Sequence, residues 1–324
     1  MRLEYQILAA VVLDLLVGDP QWLPHPVRLI GRFAMGLEAP ARRLPGCARG
    51  AGIATVIVVV GVTGVASIVL VWAAGLVHPA AADVVSVLLI YFAVAARDLA
   101  HHGMAVFRAL RAGDLPEARR RAGRIVGRDT DRLDEPEIVR AAVESVAEST
   151  VDGVTAPLFF AVLFGPAGAM AYRAINTLDS TFGYKDERYL KFGWASARLD
   201  DAANFVPARL TAPLVSVAAA VMGQRPGLSL RIMRRDGRKH ASPNAGLAEA
   251  AMAGAMGVQL GGLNYYGGEP APKPTIGDPV VRLARRHILT ANALMFVTAG
   301  LFVLMCLAAR IGVLHVWQSW RAGT

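Results

Sequence analysis

Five carboxylates fall within nine residues, Asp129, Asp131, Asp134, Glu135 and Glu137, with Arg128 and Arg132 interleaved. Carboxylates so crowded repel one another unless a cation lies among them. A magnesium ion bridging a nucleotide phosphate is the usual such cation, because Mg2+ takes one or two carboxylates plus phosphate oxygens. The plainer alternative is a solvated loop entering a helix, with Pro136 in the first turn and acids at the positive helix end. A helix is expected next, on which Arg140, Glu144, Glu148 and Asp152 recur every fourth residue and share one drifting stripe. That stripe is either a wet face or, so close to an apolar block, a set of acids turned toward a cavity or partner.

Two further polar blocks carry chemistry. Asn176, Asp179, Ser180 and Gly183 lie on one helical face, and Lys185 and Arg188 follow at once. This reads as an anion cradle or as an ordinary helix C-terminus with its basic residues. Asp200 and Asp201 both stand at helical spacing from Asn204. In His240-Ala241-Ser242-Pro243-Asn244, Asn244 is placed to cap the helix that carries Glu249, and His240 is a candidate acid–base group. Asn264-Tyr265-Tyr266-Gly267-Gly268 reads as a turn that either closes over a ligand or is plain surface. No phosphate-loop, dinucleotide-binding, H-E-x-x-H or C-x-x-C motif occurs.

These blocks must be held by apolar elements. The chain has 324 residues, of which 54% are hydrophobic and 18% charged, against about 25% charged in soluble chains. Despite a net charge of +9, this argues against disorder and against nucleic-acid binding. Cys47 and Cys306 stand alone, so no disulfide framework exists. Residues 53–77 and 288–309 are long and apolar enough to span a bilayer. Residues 84–96 are uncharged but short; 5–17 are shorter and carry Asp14; 154–172 and 210–222 are interrupted by Pro157, Gly165-Pro166 and Pro213. Basic stretches at 28–49, 101–140 and 224–240 are expected on the cytoplasmic side, leaving the 78–83 connection outside. The expectation is an all-α, polytopic integral membrane protein, 1–324 as one membrane-embedded domain, with re-entrant or broken helices and polar loops on the cytoplasmic side.

Taken in order, the blocks resemble the adenosylcobinamide-phosphate synthase family of cobalamin biosynthesis. The pieces are Leu13 to Pro20 with Pro24-His25-Pro26-Val27-Arg28, Gly127 to Glu137, Glu144 to Ser149 with Asp152-Gly153, and Asn176 to Ser180. Gly183-Tyr184-Lys185, Asp200 to Asn204, and His240 to Asn244 complete the set. Each is weak alone; their number and order, over roughly residues 3–300, make the likeness specific. The resemblance implies ATP-driven amide ligation of aminopropanol phosphate, or aminopropanol, to the free propionate of adenosylcobyric acid.

Such chemistry needs carboxylates for Mg2+, cations for the transferring phosphate and a base for the amine. Asp129, Asp131 and Asp134 are then assigned to metal. Glu144, Glu148, Lys185 and His240 are assigned to catalysis. Arg128, Arg188, Asn176, Asp179, Ser180, His25, Arg28 and Asn244 are assigned to binding nucleotide, corrinoid or amine phosphate. The same likeness implies a bacterial inner membrane, an active site facing the cytoplasm, and neighbouring membrane enzymes of nucleotide-loop assembly as partners. Because ATP is cytoplasmic, 154–172 and 210–222 are expected to be re-entrant or packed inside the protein rather than simple crossings. Competing readings are a Mg-dependent membrane phosphotransferase acting on a lipid phosphate, and a transporter or scaffold.

Overall fold

The structure is a computed structural model describing residues 1–20, 22, 25–43, 47–184 and 186–322, with side chains as far as residue 312. Lys185, assigned above to catalysis, lies outside the described residues. The contacts divide the chain into two compact units, 1–95 with 156–204 and 303–324, and 96–155 with 205–302.

The first unit contains α1 (Leu3–Val17), α2 (Pro26–Arg43), α3 (Ala48–Val77), α4 (Pro79–Ala93) and α8 (Ala156–Phe182). It also takes in the start of α9 (Trp194–Val221) and the end of α12 (Arg286–Ala322). Helix α3 packs on α4 and α8, and α1 on α4. Three hydroxyls in α3 donate back to carbonyls one turn earlier, Thr55 to Ala51 at 2.9 Å, Thr63 to Val59 at 2.7 Å and Ser67 to Thr63 at 2.8 Å. An apolar span thereby carries polar side chains without leaving one unsatisfied. The N-terminal amine and the Gln6 amide both donate to Asp83 beside the α3–α4 turn, at 2.7 and 2.8 Å.

The opposite end of this unit gathers the basic residues. Arg188 makes a two-pronged bond to buried Glu38, Nε to Oε1 at 3.1 Å and Nη2 to Oε2 at 2.9 Å. Arg42 donates to the carbonyl of Arg188 at 2.9 Å and stacks over Phe192 at 4.4 Å. Arg49 lies over Trp194 at 5.5 Å. A side chain at Gly52 would collide with the carbonyl oxygen of Phe192, so only glycine lets Phe192 lie against the start of α3.

Helix α8 is broken at Gly165, whose φ of 65° and ψ of −156° suit glycine alone, immediately before Pro166. Phe160 stacks on Tyr172 across the break, so the chain turns back on itself there. The first arm is about 14 Å long at 1.5 Å per residue, half a bilayer core. Arg310 of α12 donates to the carbonyl of Val162 at 3.1 Å, satisfying one of the orphaned carbonyls at that arm's end, and is held by Glu4 at 2.7 Å. Segment 154–172 is therefore not one straight helix.

The second unit contains α5 (Ala96–Arg111), α6 (Leu115–Ala122), α7 (Glu135–Ser149), a π-helical turn (Thr150–Thr155), α10 (Pro226–Asp236) and α11 (Ala245–Met256). The rest of α9 and the start of α12 complete its helices. Helix α11 is rich in Ala and Gly, and a Cβ at Gly254 would stand 2.7 Å from the Leu228 carbonyl oxygen, which is why α10 can approach so closely. The hydroxyl of Thr155 bonds that of Thr211 at 2.7 Å, fixing the π turn.

An antiparallel hairpin, β1 (Leu260–Tyr266) and β2 (Glu269–Ile276), follows α11. The sequence reading gave this region only a turn. Prolines at 270, 272 and 274 hid β2, yet their alternation is what an edge strand tolerates: every second residue keeps an N–H for the ladder.

Among the described residues, five helical runs are long and apolar enough to cross a membrane: 48–77, 79–111, 135–182, 194–221 and 286–312. Residues 53–77, 84–96, 154–172 and 288–309 fall inside these runs, 210–222 extends one residue past the fourth, and 5–17 lies in the 15-residue α1. The 18-residue apolar window of run 48–77 is the least buried at 28%, and that of 135–182 the most at 61%.

Candidate functional site

The acidic loop and the stripe on α7 come together in the second unit. Asp134 is the N-cap of α7: its carboxylate accepts from the Glu137 amide at 2.9 Å, and Glu137 accepts from the Asp134 amide at 2.9 Å. Asp129 accepts from the amides of Gly267 and Gly268 at 3.1 and 2.7 Å, while its own amide donates to Tyr265 at 2.8 Å. The loop is thus latched to the hairpin turn. Asp131, Arg132, Glu137 and Tyr265 line a cavity of about 580 Å3 beside that latch. The three aspartates assigned to metal are not assembled as a ligand set; among the described residues no three His, Cys, Asp or Glu are so placed. The reason is local, since two of the three already serve backbone amides.

Behind the loop lies a buried charge network. Arg128 donates to Glu144 at 2.6 Å and also to Oδ1 of Asn264. The other Glu144 oxygen accepts from the Gly261 amide at 2.8 Å. Arg140 donates to the carbonyls of Gly261 and Leu263, the latter at 2.8 Å, and to Asn264 at 3.1 Å. Two arginines thus converge on Asn264 Oδ1, which leaves its Nδ2 buried with no hydrogen bond. Arg128, assigned above to binding, is here the partner of an acid.

Glu148 sits one turn beyond Glu144. It is exposed and makes no hydrogen bond or ion pair among the described residues. Glu249 on α11 is 5% exposed. Its carboxyl is pushed well above the ordinary range, first by burial and then by the charges of Glu148 and Glu144, against which Lys273 and Arg128 act. His240 Nε2 lies 3.8 Å from Glu249, while its Nδ1 accepts from the Ser242 amide at 3.0 Å.

Asn244 stands at the N-cap of α11 but does not cap it with its side chain. The Ser242 hydroxyl accepts from the Asn244 and Ala245 amides instead, at 3.3 and 3.4 Å, and Asn244 accepts from Arg209 at 3.1 Å. The capping expectation is thus corrected: the shorter Ser242 side chain reaches the amides first. Sequence reasoning noted Glu249 without a role and passed over Lys273, which the missed β2 strand brings in.

The remaining candidates lie in the first unit. Asp200 accepts from Asn204 at 2.9 Å and Asn204 accepts from Tyr172 at 2.8 Å, with Asn176 and Asp179 close to Asp200. The blocks 176–180 and 200–204 are therefore one cluster. Ser180 is exposed, and its hydroxyl donates back to the Asn176 carbonyl at 2.9 Å. His25 Nε2 stands 3.7 Å from Asp19 and its ring meets Phe92 edge-on at 5.2 Å. Arg28 is exposed in the first turn of α2. Arg188, expected to hold phosphate, instead forks around Glu38.

Five spanning-length helices, a broken helix and acids buried in helical runs define a multi-pass helical membrane protein. Comparison with known proteins resolves it further. The CobD/Cbib protein family matches residues 7–295, so the chain belongs to that family. The chain is 53% identical over 299 residues to "Cobalamin biosynthesis protein CobD" of Geobacter metallireducens, covering 92% of this chain and 94% of that one. It is 46% identical over 308 residues to "Cobalamin biosynthesis protein CbiB" of Salmonella typhimurium, covering 94% and 96%. No solved structure matches the chain.

Proposed function

We propose that this cobalamin-biosynthesis membrane protein is an ATP-dependent amide ligase that joins aminopropanol phosphate to the propionate of adenosylcobyric acid, giving adenosylcobinamide phosphate. The observation that supports this best is Glu249, which is 5% exposed, has no hydrogen bond, stands 3.8 Å from His240 Nε2 and feels the charges of Glu148 and Glu144. A structural ion pair would have been satisfied, as Glu144 is.

In this reading the γ-phosphoryl group passes from ATP to the propionate oxygen and ADP leaves. The ammonium of the second substrate gives up a proton, and its nitrogen attacks the acyl carbon. The C–O bond to phosphate then breaks, phosphate departs, and the nitrogen loses its second proton. Glu148, with Glu144 in place behind it, is the nitrogen's base. His240 passes the proton on. The 580 Å3 cavity is of small-molecule size; Tyr265 offers a ring to the nucleotide base, and Asp131 and Arg132 face the phosphates. Magnesium supplies charge neutralisation on the triphosphate, and Asp131 is the wall carboxylate with no backbone amide to surrender. His25, Arg28, Asn176, Asp179, Ser180 and Arg188 are assigned to the corrinoid and its phosphate, and Lys185 keeps its catalytic assignment from the sequence alone.

The membrane is proposed to be the bacterial inner membrane. The end of the first unit that carries Arg42 and Arg49 also carries Arg188, Phe192 and Trp194, which supports a cytoplasmic position for that end. In a cysteine-free background, a cysteine at exposed Ser180 is expected to react with an impermeant thiol reagent only from the cytoplasmic side. Labelling from outside alone would reverse this orientation.

The test of function uses detergent-purified protein with adenosylcobyric acid, aminopropanol phosphate and MgATP, following product mass and ADP together. Amide in step with ADP is expected. ADP without amide would favour a phosphotransferase.

A further inference from the structure

We propose that the end of α5 and the segment leading into α12 form a binding surface for the headgroups of anionic phospholipids in the surrounding leaflet. The proposal goes beyond the ligase reading and does not rest on it.

A single hydrogen bond joins the two elements within the second unit. Arg285 Nη1 donates to the carbonyl of Leu110 in the last turn of α5, at 3.2 Å. That turn also carries Arg108 and Arg111, while Arg282 and Arg286 flank Arg285 in the chain. All five arginines are exposed. None of them forms an ion pair among the described residues; Arg108 spends its Nε on the Met104 carbonyl at 3.2 Å.

Like charges so gathered repel one another unless an anion lies among them, and the acids near them in sequence are already committed. Asp278 is forked by Arg235 of α10, at 2.8 and 3.2 Å. Asp114 caps α6, accepting from the Glu117 amide at 2.9 Å. No acid stands in the first turn of α12. The counter-charge therefore comes from outside the chain, and guanidinium groups are the cations best shaped to meet phosphate oxygens.

Depth decides which phosphate this is. Arg286 opens the membrane-length run 286–312. Leu289, three residues further and about 4.5 Å along the helix axis, is 38% exposed, and Val280 before the arginines is 56% exposed. The headgroup layer is about 5–7 Å thick on each side of the hydrocarbon core. Guanidinium groups one turn above an exposed apolar side chain at the start of a spanning helix thus stand at headgroup depth. A soluble polyanion would leave Leu289 and Val280 in water. A phospholipid covers both with its chains while its phosphate lies among the arginines, each worth a similar increment of attraction.

The experiment is native mass spectrometry of the full-length protein released from detergent, titrated with phosphatidylglycerol and, in parallel, with phosphatidylcholine of the same chains. The anionic lipid is expected to bind more tightly. The variant R111Q/R282Q/R286Q removes three arginines that bond nothing among the described residues, so it is expected to fold. It should weaken phosphatidylglycerol at least about tenfold and leave phosphatidylcholine unchanged. Arg282→Gln alone should shift the affinity in the same direction, which keeps the test open if the triple variant does not fold. A control variant, R32Q/R43Q/R124Q, lowers the net charge equally elsewhere and should bind as wild type does. Equal affinity for the two lipids, or an equal loss in the control variant, would overturn the surface. Displacement of the lipid by millimolar inorganic phosphate would overturn the lipid as its occupant.

Discussion

Phe160 stacks on Tyr172 at 5.2 Å between ring centroids, although a straight helix would hold these positions about 18 Å apart. Everything between them is arranged to permit that contact. Gly165 takes a backbone conformation other residues avoid, Pro166 begins the returning arm, and a Cβ at Gly168 would stand 2.6 Å from the Phe160 carbonyl oxygen. Gly165→Ala is therefore expected to cost about 1–3 kcal/mol and to lower the unfolding temperature in detergent. An unchanged melting curve would mean the reversal does not depend on that conformation.

Glu144 and Glu148 are neighbours on one stripe but should behave oppositely. Removing Glu144 leaves Arg128 buried and unpaired, at 4% side-chain exposure, so Glu144→Ala should destabilise by about 3–5 kcal/mol. Glu148→Gln removes no bond and should leave stability within about 0.5 kcal/mol while lowering kcat. Equal effects on melting temperature from the two substitutions would contradict this division.

The acidic loop splits in the same way. Asp134→Ala loses a helix cap worth about 1 kcal/mol and should leave the KM for MgATP unaltered. Asp131→Asn should raise that KM without affecting melting. Finding the larger KM effect at Asp134 would restore it to the metal.

Two buried acids outside the spans give opposite pH signatures. Asp236 is held well below the usual carboxylate range by Arg235 above all, then by Lys239 and the Gly277 amide, against the cost of burial. A depressed folded pKa contributes stability above the unfolded value of about 3.9, lost as pH falls through the folded one. Asp236→Asn should therefore melt below wild type at neutral pH, with the gap closing in acid. Glu249 is raised by burial and neighbouring acids; its contribution is complete below about pH 4.3 and is lost as pH rises through the folded pKa. Glu249→Gln should match wild type in acid and melt above it at alkaline pH. Melting temperatures from pH 3 to 9 would check both, and a gap of constant size for either variant would contradict its assignment.

Membrane character, helical class and the positions of the polar blocks are legible in the sequence because each depends on local composition and short repeats. A run of apolar residues spans a bilayer whatever surrounds it, and an Asp–x–x–Glu pair caps its own helix, as Asp134 and Glu137 do. The sequence also marked Gly165-Pro166 as a break. It did not show that the chain reverses there, because a reversal is decided by what the second arm meets.

Which acid is satisfied was likewise invisible. Glu144 and Glu148 have the same spacing and chemistry, and only Arg128, sixteen residues away, and Gly261, on the far side of the unit's sequence, distinguish them. Lys273 lies on a strand whose prolines concealed it, and Asp129 is held by two amides of a hairpin turn that the sequence placed 138 residues away. Residue types and periodicity fix what each element can do. The pairing of charges across long stretches of chain fixes what each side chain is left free to do, since a sequence does not say which partners a buried group meets.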